Sequence, residues 1–373
     1  MNVAQLVRAP DCGSGGRGFE SRLSPKFCGL RALTFLYENV SMLTEASAFE
    51  SRLSPKNQKK PKPRKGAFYF MGMIVCRGLI IAVLLFTQTA FAQYSFDAGQ
   101  LTNDLKILSS DSLEGRRVGT EGSAKARTYI IKRLETLNIK PLFETGYIQT
   151  FSFPQAFGQV QAGDGSNVIA VIEGTKKETI VISAHYDHMG IMGGKIYNGT
   201  DDNASGTVAL LAIAEYFTKN KPSHRIILAF FDAEEMGLRG SAHFVNTLDL
   251  VHESIVLNIN MDMISRSDKN ELYACGTHHY PQLKNPIEKI SFPEKFSLRF
   301  GHDQPGSGRN DWTSQSDHMN FHLKKIPFVY FGVEDHPDYH RPTDDFDKVN
   351  LDFYHKSVET IIRAVKALDK ALQ

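Results

Sequence analysis

The sequence predicts an α/β domain: a mostly parallel, mixed central sheet with helices on both faces. Three observations predict it. Short apolar runs of strand length alternate with longer stretches of helical period. The runs are too uniformly apolar to leave one face in water, which is the mark of strands covered on both sides. All but the first of them end in carboxylates or imidazoles, where ligand-binding residues of such sheets lie, beyond the carboxyl ends of the strands.

The first seventy residues do not share this pattern. Positions 54–65 are basic and Pro-rich and carry no apolar period, the composition of a disordered tail. The string Phe-Glu-Ser-Arg-Leu-Ser-Pro-Lys occurs at 19–26 and again at 49–56. Each copy has too little apolar surface to stack as a structural repeat. The region from Val3 to Pro25, with Arg8-Ala9-Pro10 and Gly15-Gly16-Arg17-Gly18-Phe19-Glu20-Ser21-Arg22, resembles translated transfer-RNA gene sequence. The expectation is therefore a mis-annotated extension over 1–70.

From Met71 the chemistry changes. Met73 and Arg77 precede the apolar run Leu79 to Phe86, and Ala90-Phe91-Ala92 supplies a small-x-small cleavage pattern. This reads as a signal peptide over 71–92, cut before Gln93, and implies a secreted or periplasmic protein. The run is shorter than the roughly 20 apolar residues of a membrane span. No cysteine stands at the cleavage site, so no stable membrane anchor is expected after signal cleavage. Four cysteines occur in the whole chain, Cys12, Cys28, Cys76 and Cys275, and their spacing gives neither a disulfide framework nor a Cys-based zinc site. Cys275 reads as a small buried residue. Stability must then come from the core of residues 93–373, a length that can bury one. The formal net charge of +2 points away from nucleic acid as a partner.

Within this domain Leu101, Leu105, Ile107 and Leu108 give a rough helical period. A cleaner one follows over Ala124 to Leu137, with Ala126, Tyr129, Ile130 and Leu134 on one side. Buried parallel strands are predicted at Val168–Ile172, Thr179–Ala184, Ile226–Phe231, Ser254–Asn260 and Ile326–Phe331. A strong helix is expected over Ala204 to Phe217, and an amphipathic one closes the chain from about Leu351 to Leu372.

The strand ends carry the chemistry. Thr179–Ala184 leads into His185-Tyr186-Asp187-His188, and Ile226–Phe231 into Asp232-Ala233-Glu234-Glu235. Ser254–Asn260 leads into Met261-Asp262, and Ile326–Phe331 into the loop His336 to His340. A fifth piece, Asn198 to Gly206 with Asp201, Asp202 and Asn203, runs straight into the strong helix. One such piece is an ordinary polar loop. Five delivered to one sheet edge supply the oxygen and nitrogen donors that suit zinc in a catalytic site.

This order of motifs resembles the M28 zinc peptidases, which include bacterial leucyl aminopeptidases. The resemblance runs from about Leu101 to Leu368. It includes Leu113-Glu-Gly-Arg-Arg-Val-Gly-Thr-Glu-Gly122 and Ser316-Asp317-His318. It implies a zinc-exopeptidase fold, peptide substrates and two zinc ions per chain, with cobalt or manganese as alternatives. Asp201 would bridge both ions, His185 and Asp262 would complete one, and Glu235 and His340 the other. Glu234 would be the general base. Asp187 would accept a hydrogen bond from the His185 imidazole and fix its tautomer. The Asp201–Asp202 bond resembles the one that is cis in relatives. Asp317 and His318 are expected near substrate or behind the ligands. His188 and His322 read as surface or supporting residues, and Ser307, Arg309, Asp311 and Trp312 as a loop bordering the pocket. Ser205 has no nucleophile elbow around it and reads as helix-start packing.

Three other activities share this fold: glutaminyl cyclisation at one metal, carboxypeptidase action, and binding without catalysis. Cyclases lack the Asp-Asp-Asn-Ala-Ser-Gly string that is intact here. The acidic bias of Asp187, Asp201, Asp202, Asp232, Glu234, Glu235 and Asp262 favours a site that recognises an ammonium, hence an aminopeptidase.

Overall fold

The computed structural model describes residues 94–154, 163–248 and 254–372. They fall in one compact unit, Ala90–Gln373. The expectations for 1–70, the signal peptide over 71–92 and the cut before Gln93 lie outside the described residues.

Helix α1 (Ala98–Leu108) starts where Asp97 accepts a hydrogen bond from the Gln100 amide, and buries Leu101, Leu105 and Leu108. A short 3-10 turn (Asp111–Arg116) leads to α2 (Glu121–Thr136), capped by the Thr120 hydroxyl. The two caps satisfy amides that a helix start leaves without partners. Asp104 is buried between α1 and α2, where it accepts bonds from Gln100, Tyr129 and Arg133. The strands follow: β1 (Lys140–Pro141), β2 (Ile148–Phe153), β3 (Gly163–Ile172) and β4 (Thr179–His185). A separate hairpin pairs β5 (Gly190–Met192) with β6 (Lys195–Tyr197). A π-type turn (Thr200–Ser205) then enters α3 (Gly206–Lys219). Next come β7 (Arg225–Phe231), α4 (Arg239–Thr247), β8 (Ile255–Met261), β9 (Glu271–Cys275), α5 (Lys284–Glu288) and β10 (Ser297–Phe300). The last elements are α6 (His318–Leu323), β11 (Phe328–Gly332) and α7 (Leu351–Ala371).

The main sheet has nine strands in the order β1-β3-β7-β4-β8-β11-β9-β10, with β2 added beside β3. Its centre, β7-β4-β8-β11, is parallel throughout. The flanks turn antiparallel, at β3·β7 on one side and at β11·β9 on the other. The sheet is therefore mixed with a parallel core, as expected. One strand corrects the sequence reading: the run containing Val168–Ile172 is antiparallel to β7. That direction explains why this run alone leads into no metal-type residue. Its carboxyl end lies at the opposite edge of the sheet from those of β7, β4, β8 and β11.

Alternate residues of each central strand face opposite layers. Ile180, Ile182, Ile226, Leu228, Ile259 and Phe331 pack under α1, α2, α3 and α7 in the larger core. Val181, Ile227, Ala229 and Phe231 pack against Phe244 of α4 and Phe321 of α6. Each such side chain, fully removed from water, contributes about 1.5–3 kcal/mol. Burial on both faces fixes the sheet, and with it the edge where the strand ends converge.

Candidate metal centre

His185 is the last residue of β4 and is 1% exposed. Its Nδ1 donates to the backbone carbonyl of Asp187 at 3.2 Å. That bond leaves Nε2 as the free lone pair, 3.3 Å from Asp262 Oδ1 and 3.4 Å from Asp202 Oδ1. The sequence reading gave this orienting role to the Asp187 carboxylate, and the structure corrects it. The Asp187 carboxylate lies 3.6 Å from Nδ1. It accepts bonds from the backbone amides of Glu234 and Glu235, at 3.0 and 3.3 Å. Asp187 thus holds the turn after β7 against the end of β4.

The second correction concerns which aspartate stands in the middle. Asp201 points away from the cluster. Its Oδ1 accepts from the amide and hydroxyl of Ser265 at 2.7 and 2.8 Å, and its Oδ2 from His336 Nε2 at 3.0 Å. Asp202 is the residue between the two groups. Its Oδ1 faces His185, while its Oδ2 lies 3.1 Å from His340 Nε2 and 3.8 Å from His188 Nδ1. The cis peptide is likewise one residue further on, at Asp202–Asn203. The sequence Thr-Asp-Asp-Asn offers two adjacent aspartates, and nothing in their spacing tells which one turns inward. What decides is the partners: Ser265 and His336 are placed to take Asp201 and no other.

The turn is built to hold this direction. The Asp344 carboxylate accepts from the amides of both Asp201 and Asp202. Asn203 donates to Met261 O at the end of β8 and accepts from the Gly206 amide at the start of α3. Gly199 has φ +54, and a Cβ there would sit 2.1 Å from Asp202 O and 2.4 Å from the His188 ring. Only glycine fits. The strong helix accordingly begins at Gly206 rather than at Ala204.

Glu234 and Glu235 follow the positive-φ residue Ala233 and face different groups. Glu234 clusters with His185 and Asp262, and Glu235 with His188 and Asp202. Glu235 Oε2 lies 3.5 Å from His340 Nε2, and Oε1 lies 2.7 Å from His188 Nδ1 without hydrogen-bond alignment. His188, read from the sequence as a surface or supporting residue, is fully buried against this cluster, which corrects the surface reading. Its place three residues after His185 was the available signal.

Carboxylates and imidazoles set one another's charge within the cluster. Burial pushes the Glu234 carboxyl well above the ordinary range, with Asp262, Glu235 and Asp317 adding repulsion that His185 only partly offsets. Burial also raises Asp262. Burial alone would raise Asp202, but His188, His185 and His340 hold it well below the usual value. For His340 burial works downward and is outweighed by Asp202 and Glu235, which bring it up to about 9. Glu235 Oε1 and Asp262 Oδ1 are buried without hydrogen-bond partners. Buried carboxylates without partners are costly unless a cation or proton joins them. The donor set, imidazole nitrogen with carboxylate oxygen, fits zinc.

Asp317 and His318 stand behind this edge. Asp317 is fully buried and burial raises it to about 7. His318 Nε2 donates to Trp312 O at 2.9 Å, and its ring stacks on Tyr330 at 4.5 Å. His322 bonds to Tyr280 instead. Ser307 and Arg309 are exposed, while Trp312 is buried and walls a cavity of about 70 Å³. Asp202, Glu234, Glu235, Asp262 and Asp335 line that cavity, with Met263, Tyr330, Val333 and Tyr339. Cys275 is buried beside Trp312, as expected.

The family model for peptidase family M28 matches residues 167–365, just over half of the chain. The chain belongs to peptidase family M28. Aminopeptidase YwaD of Bacillus subtilis is 28% identical over 204 residues, which cover 50% of this chain and 40% of that protein. The chain spans less than half the length of the curated relatives it matches. The crystal structure of BSAP, a zinc aminopeptidase from Bacillus subtilis, superposes with a TM-score of 0.58 at 18% identity, covering 72% of this chain and 95% of that one. Porphyromonas gingivalis glutaminyl cyclase superposes with a TM-score of 0.59 at 16% identity, covering 73% and 98%. At those identities the likeness shows the fold, and the M28 chain's own side chains must argue its chemistry. Sequence reasoning missed Asp344 and Ser265, which belong to no motif, and named His336 only as the start of the loop to His340, without a role. Their only signal is position, within a few residues of Asp262 or His340.

Proposed function

We propose that this M28 chain is an exported aminopeptidase working with two zinc ions. The observation that supports it most is the placement of Asp202. One carboxylate oxygen faces His185, beside Asp262, and the other faces His340, beside Glu235. His185, Asp202 and Asp262 would hold one ion, and Asp202, Glu235 and His340 the other. Two zinc ions there would polarise the scissile carbonyl and lower the pKa of a shared water.

Glu234 is the general base. It is half-buried beside His185 and Asp262, where a carboxylate can take a proton from the attacking water and pass it to the leaving amine. Asp187, through the amides of Glu234 and Glu235, keeps both carboxylates at their stations. The cavity supports recognition of a free ammonium. Asp335 is the one lining carboxylate not assigned to a metal or to the base, and no lysine or arginine lines the cavity, whereas a carboxypeptidase needs donors for a terminal carboxylate. Export rests on the apolar run 79–86 and Ala90-Phe91-Ala92. Among the described residues no helix is long and apolar enough to cross a membrane.

Zinc added to the metal-free chain tests this reading. Uptake of two ions with release of a free N-terminal amino acid from a peptide is the expected result. Uptake of one ion with cyclisation of an N-terminal glutamine, or uptake of none, contradicts it.

A further inference from the structure

The motif Leu113 to Gly122 takes no part in the chemistry above, yet it sends one side chain to the metal centre. Arg116 is 1% exposed. Four of the five N–H groups of its guanidinium donate to backbone carbonyls. Nε reaches Tyr186 O at 2.8 Å, Nη1 reaches Leu108 O at 2.5 Å and Asn198 O at 2.6 Å, and Nη2 reaches Gly199 O at 2.9 Å. Tyr186 lies between His185 and Asp187. Asn198 and Gly199 open the turn that presents Asp202. One side chain therefore ties together the two segments that deliver histidine to one group and the shared aspartate to both.

The backbone is arranged to send it there. Glu114, Gly115 and Arg116 have φ of 52°, 68° and 51°, three successive left-handed residues. Non-glycine residues adopt that conformation at a cost, and it persists where the surroundings enforce it. A Cβ on Gly115 would lie 2.3 Å from Tyr197 O, so the turn closes directly on the segment before Asn198. Burial lowers the guanidinium to about 10, and Asp202, Asp344, Asp187 and Glu235 counter that fall, so it stays charged at neutral pH. A fixed positive charge behind the carboxylates offsets part of their mutual repulsion when no ion is bound.

We propose that Arg116 is a positioning residue which holds the His185–His188 and Asn198–Asp202 segments in their ligand geometry before any metal binds. The inference rests on the proposed zinc site. Lysine keeps the charge but offers three donors from a single nitrogen, and it cannot span four carbonyls.

Arg116→Lys in the full chain, titrated with zinc by calorimetry, is the test. Affinity should fall about 10–100-fold, the usual cost of losing a group that orients metal ligands. kcat should fall while KM stays within about threefold, since Arg116 itself does not line the substrate cavity. Leu134→Ala, a core change in α2, serves as a control of comparable destabilisation and should keep zinc affinity. A folded Arg116→Lys protein that binds zinc as the wild type does overturns the proposal. Amide exchange on the wild-type chain can still overturn the proposal if that variant does not fold. The amides of Thr200, Asp201, Asp202 and Ala204 should be protected in metal-free protein. Free exchange there until zinc is added overturns the proposal. Wild-type protein that takes up no zinc at all refutes the zinc-site reading instead, while the exchange result still decides whether the segments are held beforehand.

Discussion

His340 Nε2 lies 3.1 Å from Asp202 Oδ2, across the same carboxylate whose other oxygen faces His185. The neighbouring aspartate is engaged elsewhere, with Ser265 and His336. Two adjacent residues of one type therefore do different work, and several consequences can be measured.

Asp202→Asn should remove at least one of two zinc ions and abolish hydrolysis. Asp201→Asn should keep both ions, because it loses only charge-assisted bonds to Ser265 and His336. Its cost should be stability, about 1–3 kcal/mol. Metal analysis after dialysis, with denaturant unfolding of each variant, separates the two. Equal metal loss in both would mean that the pair acts as a unit.

Glu234→Gln keeps the size of the base and removes its proton acceptor. Turnover should drop by about 10²–10⁴-fold with two ions retained. Glu235→Gln should lose metal together with activity, since Glu235 faces His188 and His340. Full activity in Glu234→Gln would show that another group takes the proton.

His318 gives a stability prediction with a definite sign. Burial lowers its imidazole to about 3 from an ordinary 6.5. The unfolded chain therefore binds a proton that the folded chain refuses between those values. Stability from this source is complete above about pH 6.5 and falls on acidification. The slope is about 1.4 kcal/mol per pH unit between roughly pH 6 and 4. Urea unfolding across that range should show a shallower acid slope for His318→Gln than for the wild type. An identical slope would place the acid sensitivity elsewhere.

If the chain is exported as the segment from Met71 implies, protein recovered from envelope or medium begins at Gln93. Intact-mass measurement reads this directly. Peptides from between Ala9 and Lys56 in the native host would show instead that the first seventy residues are translated.

The parallel core of the sheet was legible because β4, β7, β8 and β11 are mostly apolar on both faces and lead into His185, Asp232, Asp262 and the loop to His340. The direction of β3 was not legible, because an apolar run reads the same whether its neighbour runs with it or against it. His185, Glu234, Glu235, Asp262 and His340 could be picked out by residue type at strand ends, and the structure brings them together. The choice between Asp201 and Asp202 depended on Ser265, Asp344 and His336, which approach from far along the chain. The same holds for Arg116, whose partners are backbone carbonyls with no residue type of their own. Non-local contacts leave no periodicity behind, so Ser265 and Asp344 were missed, and His336 and Arg116 stood in recognised segments without a role.

The central claim is that this site removes residues from the amino end of peptides. Zinc-loaded chain should be offered an unblocked aminoacyl anilide and its N-acetylated form side by side. Asp335, the lining carboxylate left free of metal and base roles, and the lack of lysine or arginine among the lining residues predict cleavage of the unblocked compound and none of the acetylated one. Efficient removal of the C-terminal residue from an N-blocked peptide, with the unblocked anilide left intact, would contradict the account.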